Sequence, residues 1–254
     1  MNKKDLFNLS NKIVLITGVS GQLGISFTKL YLDNGCKVYG VDINKCNLKH
    51  KNFHFINKNL TNVKNIKSII NSILTINNRI DIIINNAAVS FFSDILKRSN
   101  NEIDKTIDIN LKSVIYLIRE YFREHKKRKL KKCKIINIAS IYGSNSPDFK
   151  IYGKNDRFSS EIYGATKAGV IQITKYFSVL LAKYNIIINS ISPGGIENLN
   201  TQNKKFQKKY SNLVPLQRMA TVNDIFTTMI FLSSDNTNYI TGQNIVLDGG
   251  LSAK

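Results

Sequence analysis

The sequence has no tryptophan, only 3 prolines, 3 cysteines and 3 histidines, and its 17 acidic residues are outnumbered by 37 lysines and arginines. Each shortage excludes something. Cys36, Cys46 and Cys133 are an odd number without C-x-x-C spacing, and His50, His54 and His125 form no ligand set with them. A disulfide framework and a metal site are therefore not expected. No apolar run approaches the roughly 20 residues that cross a bilayer, and the opening MNKKDLFNLSNK lacks the apolar centre of a secretion signal. The expectation is a cytoplasmic protein with no membrane partner. No linker rich in Pro, Gly or Ser divides the 254 residues, so residues 1–254 read as one domain.

The chain is 43% hydrophobic and 21% charged, ordinary values that set aside disorder and fibrous repeats. A net charge of +20 raises the question of nucleic acid or an anionic membrane, because clustered cations release counterions from phosphates. The lysines are mostly dispersed, however. Only HKKRKLKK, His125 to Lys132, is dense, and it falls where a helix should end and cations suit the macrodipole. Nucleic acid is not the expected partner.

KIVLIT, Lys12 to Thr17, is a β-branched run followed by glycines and then by ISFTKLYLDNG, apolar at helical spacing up to Gly35. This predicts strand, turn and helix. Further apolar runs end at Asp42, Asn57, Ala88, Ser140, Gly195 and Gly250, with predicted helices over Val63 to Thr75, Asp104 to Glu124, Ser160 to Tyr184 and Val222 to Ser233. Continuously apolar strands separated by helices predict an α/β fold: a doubly wound parallel sheet with helices on both faces and right-handed crossovers. In such a sheet ligands sit beyond the carboxyl ends of the strands.

At the first strand end stands TGVSGQLG, with glycines at 18, 21 and 24. Glycines permit a tight turn and close approach to a pyrophosphate, whose charge meets the amides of the helix N-terminus. Asp42 closes the second strand, where a carboxylate accepts hydrogen bonds from an adenosine ribose and repels a 2′-phosphate. NAD is thus favoured over NADP, with Lys45 the one nearby cation; the plainer reading of Asp42 is a turn residue. Tyr163 and Lys167 lie one helical turn apart and share a face. An ammonium there would favour the phenolate. Ser140 ends the fifth predicted strand, SPGG from Ser192 ends the sixth, and Asn110, polar within an amphipathic helix, either faces solvent or holds a water.

In order and spacing, TGVSGQLG, NNAA, Tyr163-x-x-x-Lys167, SPGG and TGQNIVLDGG resemble the short-chain dehydrogenase/reductase family from about Lys12 to Gly250. The resemblance implies a single-domain Rossmann fold and an oxidoreductase that moves hydride between nicotinamide C4 and a substrate carbon. It implies a catalytic tetrad of Asn110, Ser140, Tyr163 and Lys167: Tyr163 as acid or base, Lys167 holding the nicotinamide ribose and lowering the tyrosine pKa, Asn110 fixing a water. Its cofactor contacts would be Gly18, Ser20, Gly21, Gln22, Leu23, Gly24, Asp42, Asn59, Leu60, Asn86, Ala87, Ala88, Tyr163, Lys167, Pro193, Gly194 and Ile196. It also implies a homodimer or homotetramer packed through the two long helices.

The departures are specific. Gln22 stands where the commoner branch has its middle glycine, a spacing more like the branch acting on nucleotide sugars, although that branch usually carries its own C-terminal substrate domain. Ala88 replaces the glycine of NNAG, Asn59 replaces an aspartate that contacts adenine, and Glu197 and Asn198 stand where a threonine often follows PGG. The segment between Ser140 and Tyr163 is long, with an insertion at about 144–160 carrying Lys150, Lys154, Asp156, Arg157, Phe149, Tyr152 and Phe158. Such a loop is either a solvated excursion or part of a site. Its cations and rings would suit a phosphorylated or nucleotide-linked sugar. SIYG, SPDFKIY, SPGGIEN and VPLQRMA also resemble a subgroup of bacterial surface-sugar and flagellin-modification pathways, including nonulosonic acid synthesis. A 3-oxoacyl thioester or small alcohol is the alternative substrate, and a non-catalytic dinucleotide-binding or nucleic-acid-binding protein the alternative of another kind.

Overall fold

The computed structural model describes residues 7–152, 158–198 and 201–253. Seven strands, β1 (Ile13–Thr17), β2 (Lys37–Asp42), β3 (Phe53–Asn57), β4 (Ile82–Asn85), β5 (Cys133–Ile138), β6 (Ile186–Pro193) and β7 (Asn244–Leu247), form one sheet in the order β3-β2-β1-β4-β5-β6-β7. Every pairing is parallel. The order reverses direction between β1 and β4, and the crevice at that switch point is where this architecture receives ligands.

The helices are α1 (Gln22–Asp33), α2 (Val63–Asn77), α3 (Asn100–Ile107), α4 (Ser113–Arg128), α5 (Glu161–Leu181), α6 (Lys204–Leu213) and α7 (Asn223–Ser233). The period-2 alternation of a strand sends Leu15 to one face and Val14 and Ile16 to the other. Leu15 packs with Ile66 and Ile70 of α2, Leu117 of α4 and Val170 of α5. Val14 and Ile16 pack with Phe27 and Tyr31 of α1 and Ile225 and Met229 of α7. Both faces are therefore covered, which is why the strands read as continuous apolar runs. The doubly wound arrangement expected from the sequence is the one observed.

Several boundaries differ, each for a local reason. The helix expected over Asp104 to Glu124 begins earlier, because Ser99 and Glu102 form a reciprocal capping box. It is then interrupted by a π-helical turn, Asp108–Lys112. The fourth and fifth strands stop at Asn85 and Ile138 rather than Ala88 and Ser140. Asn86 leaves the ladder because its Nδ2 donates to the Thr17 carbonyl at 2.9 Å and the Gly18 carbonyl at 3.1 Å. Ser140 leaves it to cap a short turn, accepting from the Tyr142 amide at 3.2 Å. The basic run does close α4, where Lys129 adopts a left-handed conformation. Helix α6 was not anticipated. Among the described residues, no helix is long and apolar enough to cross a membrane, and no cluster of His, Cys, Asp and Glu suits a metal.

Candidate active site

The glycine turn is built by sterics. Gly18 has φ +72°, and a Cβ on Gly24 would lie 1.9 Å from the Gly18 carbonyl oxygen. That distance is impossible, so α1 approaches the end of β1 as closely as it does only with glycine at 24. Thr17 Oγ1 receives the amides of Asn86 and Ala87, each at 3.0 Å. This ties the NNAA segment to the turn. Asp42 accepts from the Ser20 amide and the Asn44 amide, both at 2.9 Å, and the Ser20 hydroxyl donates to the Asn44 carbonyl at 2.8 Å. Ser20 thus serves the loop after β2 as well as its own turn. Asn59 Oδ1 accepts from the Thr61 amide at 2.9 Å, a turn-stabilising contact.

A cleft of about 590 Å³ runs along this edge. Its lining includes Gly18, Gly21, Gln22, Leu23, Gly24, Asp42, Asn59, Leu60, Asn86, Ala87, Ala88 and Tyr163. The glycine turn and the exposed start of α1 fit a pyrophosphate, and Asp42 at the far end fits a ribose diol. Pro193, Gly194 and Ile196 lie outside this lining and instead wall a second cavity, of about 300 Å³. Tyr163 lines both spaces.

Around Tyr163 the tetrad residues converge. Helix α5 starts at Glu161 with Ser160 as cap, its hydroxyl accepting from the Tyr163 amide at 3.2 Å. Ser140 and Tyr163 line the same cavity, and the Ser140 hydroxyl favours the ionised Tyr163 phenol. Lys167 is buried, its Nζ donates to the Ile138 carbonyl at 2.7 Å, and it sits 5.6 Å from the centre of the Tyr163 ring. Asn110 is buried by the π-helical turn. Its Oδ1 accepts from the Val89 amide at 2.8 Å and its Nδ2 donates to the Val89 carbonyl at 2.9 Å. That pair fixes the segment carrying Ala88, and the solvent-facing alternative for Asn110 falls.

Burial raises the Tyr163 pKa above its ordinary range; Ser140 opposes this and the neighbouring Tyr152 adds to it. Burial also lowers the Lys167 pKa, to about 8, which leaves the amine mostly protonated at about pH 7.

The second cavity also holds residues that the sequence did not single out. Tyr142, Phe206, Tyr210, Gln202 and Met219 line it, together with Tyr152 of the insertion. Tyr142 and Tyr152 face each other, hydroxyl to hydroxyl, at 3.4 Å. Tyr210 comes from α6, and its hydroxyl accepts from the Gly195 amide at 2.6 Å. A usable signal existed: Asn203 caps α6 by accepting from the Phe206 amide at 2.8 Å, and Phe206, Tyr210 and Leu213 repeat at helical spacing. Lys167 is the only cation among the described residues lining this cavity. Lys150 is elsewhere, its carbonyl accepting from Lys209 Nζ at 2.8 Å, while Lys154, Asp156 and Arg157 lie outside the described residues.

A dinucleotide-sized cleft meeting a second cavity at a Ser, Tyr and Lys set defines a dinucleotide-dependent oxidoreductase of the single-domain Rossmann class. The chain belongs to the short-chain dehydrogenase/reductase family: the family model described as enoyl-(acyl carrier protein) reductase matches residues 18–252. It is an NAD(P)-dependent oxidoreductase of that family. A 3-oxoacyl-[acyl-carrier-protein] reductase, FabG, of Thermotoga maritima is 30% identical over 96% of this chain and 98% of the relative. A crystal structure of a short chain dehydrogenase from Leptospira borgpetersenii with bound NAD+ is 35% identical, with TM-score 0.92 over 99% of this chain and 97% of that one. ElxO with NADP bound is 25% identical, with TM-score 0.84 over 96% of this chain and all of its own.

Proposed function

We propose that this single domain carries out hydride transfer at a substrate CH–OH or C=O carbon seated in the 300 Å³ cavity, with Tyr163 exchanging the proton at the substrate oxygen. The observation that carries the reading is that Tyr163 lines both the cofactor cleft and the substrate cavity. The bound nicotinamide dinucleotide supplies or accepts the hydride. Ser140, which lines the same cavity as Tyr163, orients the substrate oxygen against it. A buried Lys167 with a pKa near 8 is poised to take or give a proton near neutral pH and to hold a ribose hydroxyl. Asn110 keeps the Val89 backbone in place beside a relay to solvent.

The cofactor is NAD in preference to NADP, because the Asp42 carboxylate stands at the cleft's ribose end and would repel a 2′-phosphate. The contacts are the cleft-lining residues named above, Gln22 through its backbone and not its side chain, together with Ser20, Pro193, Gly194 and Ile196. The substrate is a sugar or a nucleotide-linked sugar: three tyrosine hydroxyls beyond Tyr163, from Tyr142, Tyr152 and Tyr210, and the ring of Phe206 surround the cavity, a lining suited to hydroxyl recognition and stacking. A phosphate or nucleotide arm would extend past the described lining toward the rest of the insertion. The family model and the FabG relative favour the second reading, a 3-oxoacyl thioester. The protein works in the cytoplasm as a homodimer or homotetramer, without nucleic acid or membrane.

The experiment is a titration with NADH and, separately, NADPH followed by cofactor fluorescence, against a protein background without tryptophan. Tighter NADH binding is expected. Turnover of keto-sugar nucleotides is then compared with that of an acetoacetyl thioester, and preference for the thioester would replace the sugar reading.

A further inference from the structure

Gln22 departs from the family's glycine pattern, and its side chain has a definite destination. It opens α1, and its Nε2 donates to the Glu197 carbonyl at 2.7 Å in an exposed position. The two residues come from opposite walls: Gln22 from the turn after β1, Glu197 from the segment after β6. Gln22 and Asn198, the residue after Glu197, line the same cleft.

The acceptor side is anchored. The Glu197 amide donates to the Ala220 carbonyl at 2.8 Å. Gln202 Nε2 donates to the Ile196 carbonyl and its Oε1 accepts from the Asn198 amide, both at 2.9 Å. Ile196 and Gln202 also line the substrate cavity. The bond therefore joins the glycine turn to the substrate wall. The neighbouring glycine has little steric reason to be one, since a Cβ on Gly21 would meet the Gly18 carbonyl oxygen at 3.6 Å, an ordinary contact. What distinguishes this turn is the carboxamide at position 22.

We propose that Gln22 is a positioning residue that straps the glycine turn to the segment after β6 and sets how fast the nicotinamide dinucleotide enters and leaves. This rests on the cofactor cleft assigned above. The bond joins two protein groups, so it stands before and after loading and opens only while the cofactor passes. Its removal speeds entry and exit together and leaves the affinity nearly unchanged. A Gln22 side chain bound directly to the pyrophosphate would behave differently, because its loss would speed exit alone.

The test is stopped-flow fluorescence of NADH binding to the full chain, comparing wild type with Gln22→Met, which keeps the length and removes the donor, and Gln22→Ala. Both variants are expected to raise the association and dissociation rates about 2- to 10-fold, the range of one net hydrogen bond. Kd should hold to within about twofold. Faster dissociation with unchanged association would make Gln22 a direct cofactor contact and overturn the strap. So would unchanged rates, or an effect of Gln22→Ala that Gln22→Met lacks. A wild-type protein that bound NADPH alone would be tested with NADPH; one that bound neither would overturn the cleft itself, and the strap with it.

Discussion

Lys167 is placed by a helix whose packing works against its charge. Burial brings its pKa from 10.5 to about 8, which corresponds to a cost of roughly 3 kcal/mol for carrying the proton in the folded state. Between about pH 8 and 10.5 the unfolded chain binds that proton and the folded chain does not, so stability from this group rises with pH across that window and is flat below it. Lys134 is lowered to about 8 as well, also by burial. Buried Cys36, raised to about 12, acts in the opposite direction above pH 9. The informative quantity is therefore a difference. The stability of wild type minus that of Lys167→Met, from denaturant unfolding, is expected to climb between pH 8 and 10.5. A flat difference would mean that the amine is not desolvated in solution. Tyr163→Phe is expected to cut turnover by about 100- to 10,000-fold while NADH still binds, because the ring that lines the cleft is kept. Retained turnover would remove Tyr163 from the proton step.

At the scale of elements, the strand, turn and helix around Gly18 make a paired prediction. Gly24→Ala forces a Cβ to within 1.9 Å of the Gly18 carbonyl oxygen, so α1 must shift away from β1. The expected loss is about 1–3 kcal/mol of stability, as for overpacking, with weakened cofactor binding. Gly21→Ala meets only an ordinary contact at 3.6 Å within the protein and is expected to fold like wild type while weakening NADH binding, because Gly21 lines the cofactor cleft; thermal midpoints and NADH titration check both. The elements best read from sequence were those whose signal is local and repeated: the β1 run, α2 with Ile66, Ile69, Ile70 and Ile73 on one face, and α7. The π-helical turn Asp108–Lys112 could not be read, because an added residue in a helical turn leaves the apolar pattern on either side intact. Yet that turn is what buries Asn110. Helix α6 was missed because its lysines mask a short apolar stripe completed only by packing against Ile151 and Met219.

For the whole molecule, the surface of α4 and α5 remains distinctive. Tyr176, Val179 and Leu180 are exposed, with Val179 at 82% of its full accessibility, and Tyr176 and Leu180 adjoin Phe122 and Arg123 of α4 around a shallow surface cavity. Sedimentation is expected to show a dimer or tetramer at micromolar concentration. Val179→Asp is expected to shift it toward monomer, because a charge buried without a partner opposes association. A monomeric wild type would remove the oligomer from the reading.

The sequence by itself determined the fold class, the glycine turn and the order of the chemical groups along the chain, since these depend on local periodicity, backbone permissiveness and residue type. Tertiary structure alone decided what those groups do to one another. Only the folded chain brings Tyr163 into both cavities and seats Lys167 against Ile138. Only there does Tyr210 reach Gly195 from a helix that the sequence hid. The Gln22 carboxamide likewise finds Glu197 only across the folded cleft. Burial and hydrogen-bond partners depend on contacts between residues far apart in the chain, and no local pattern encodes the desolvation that raises the Tyr163 pKa and lowers that of Lys167.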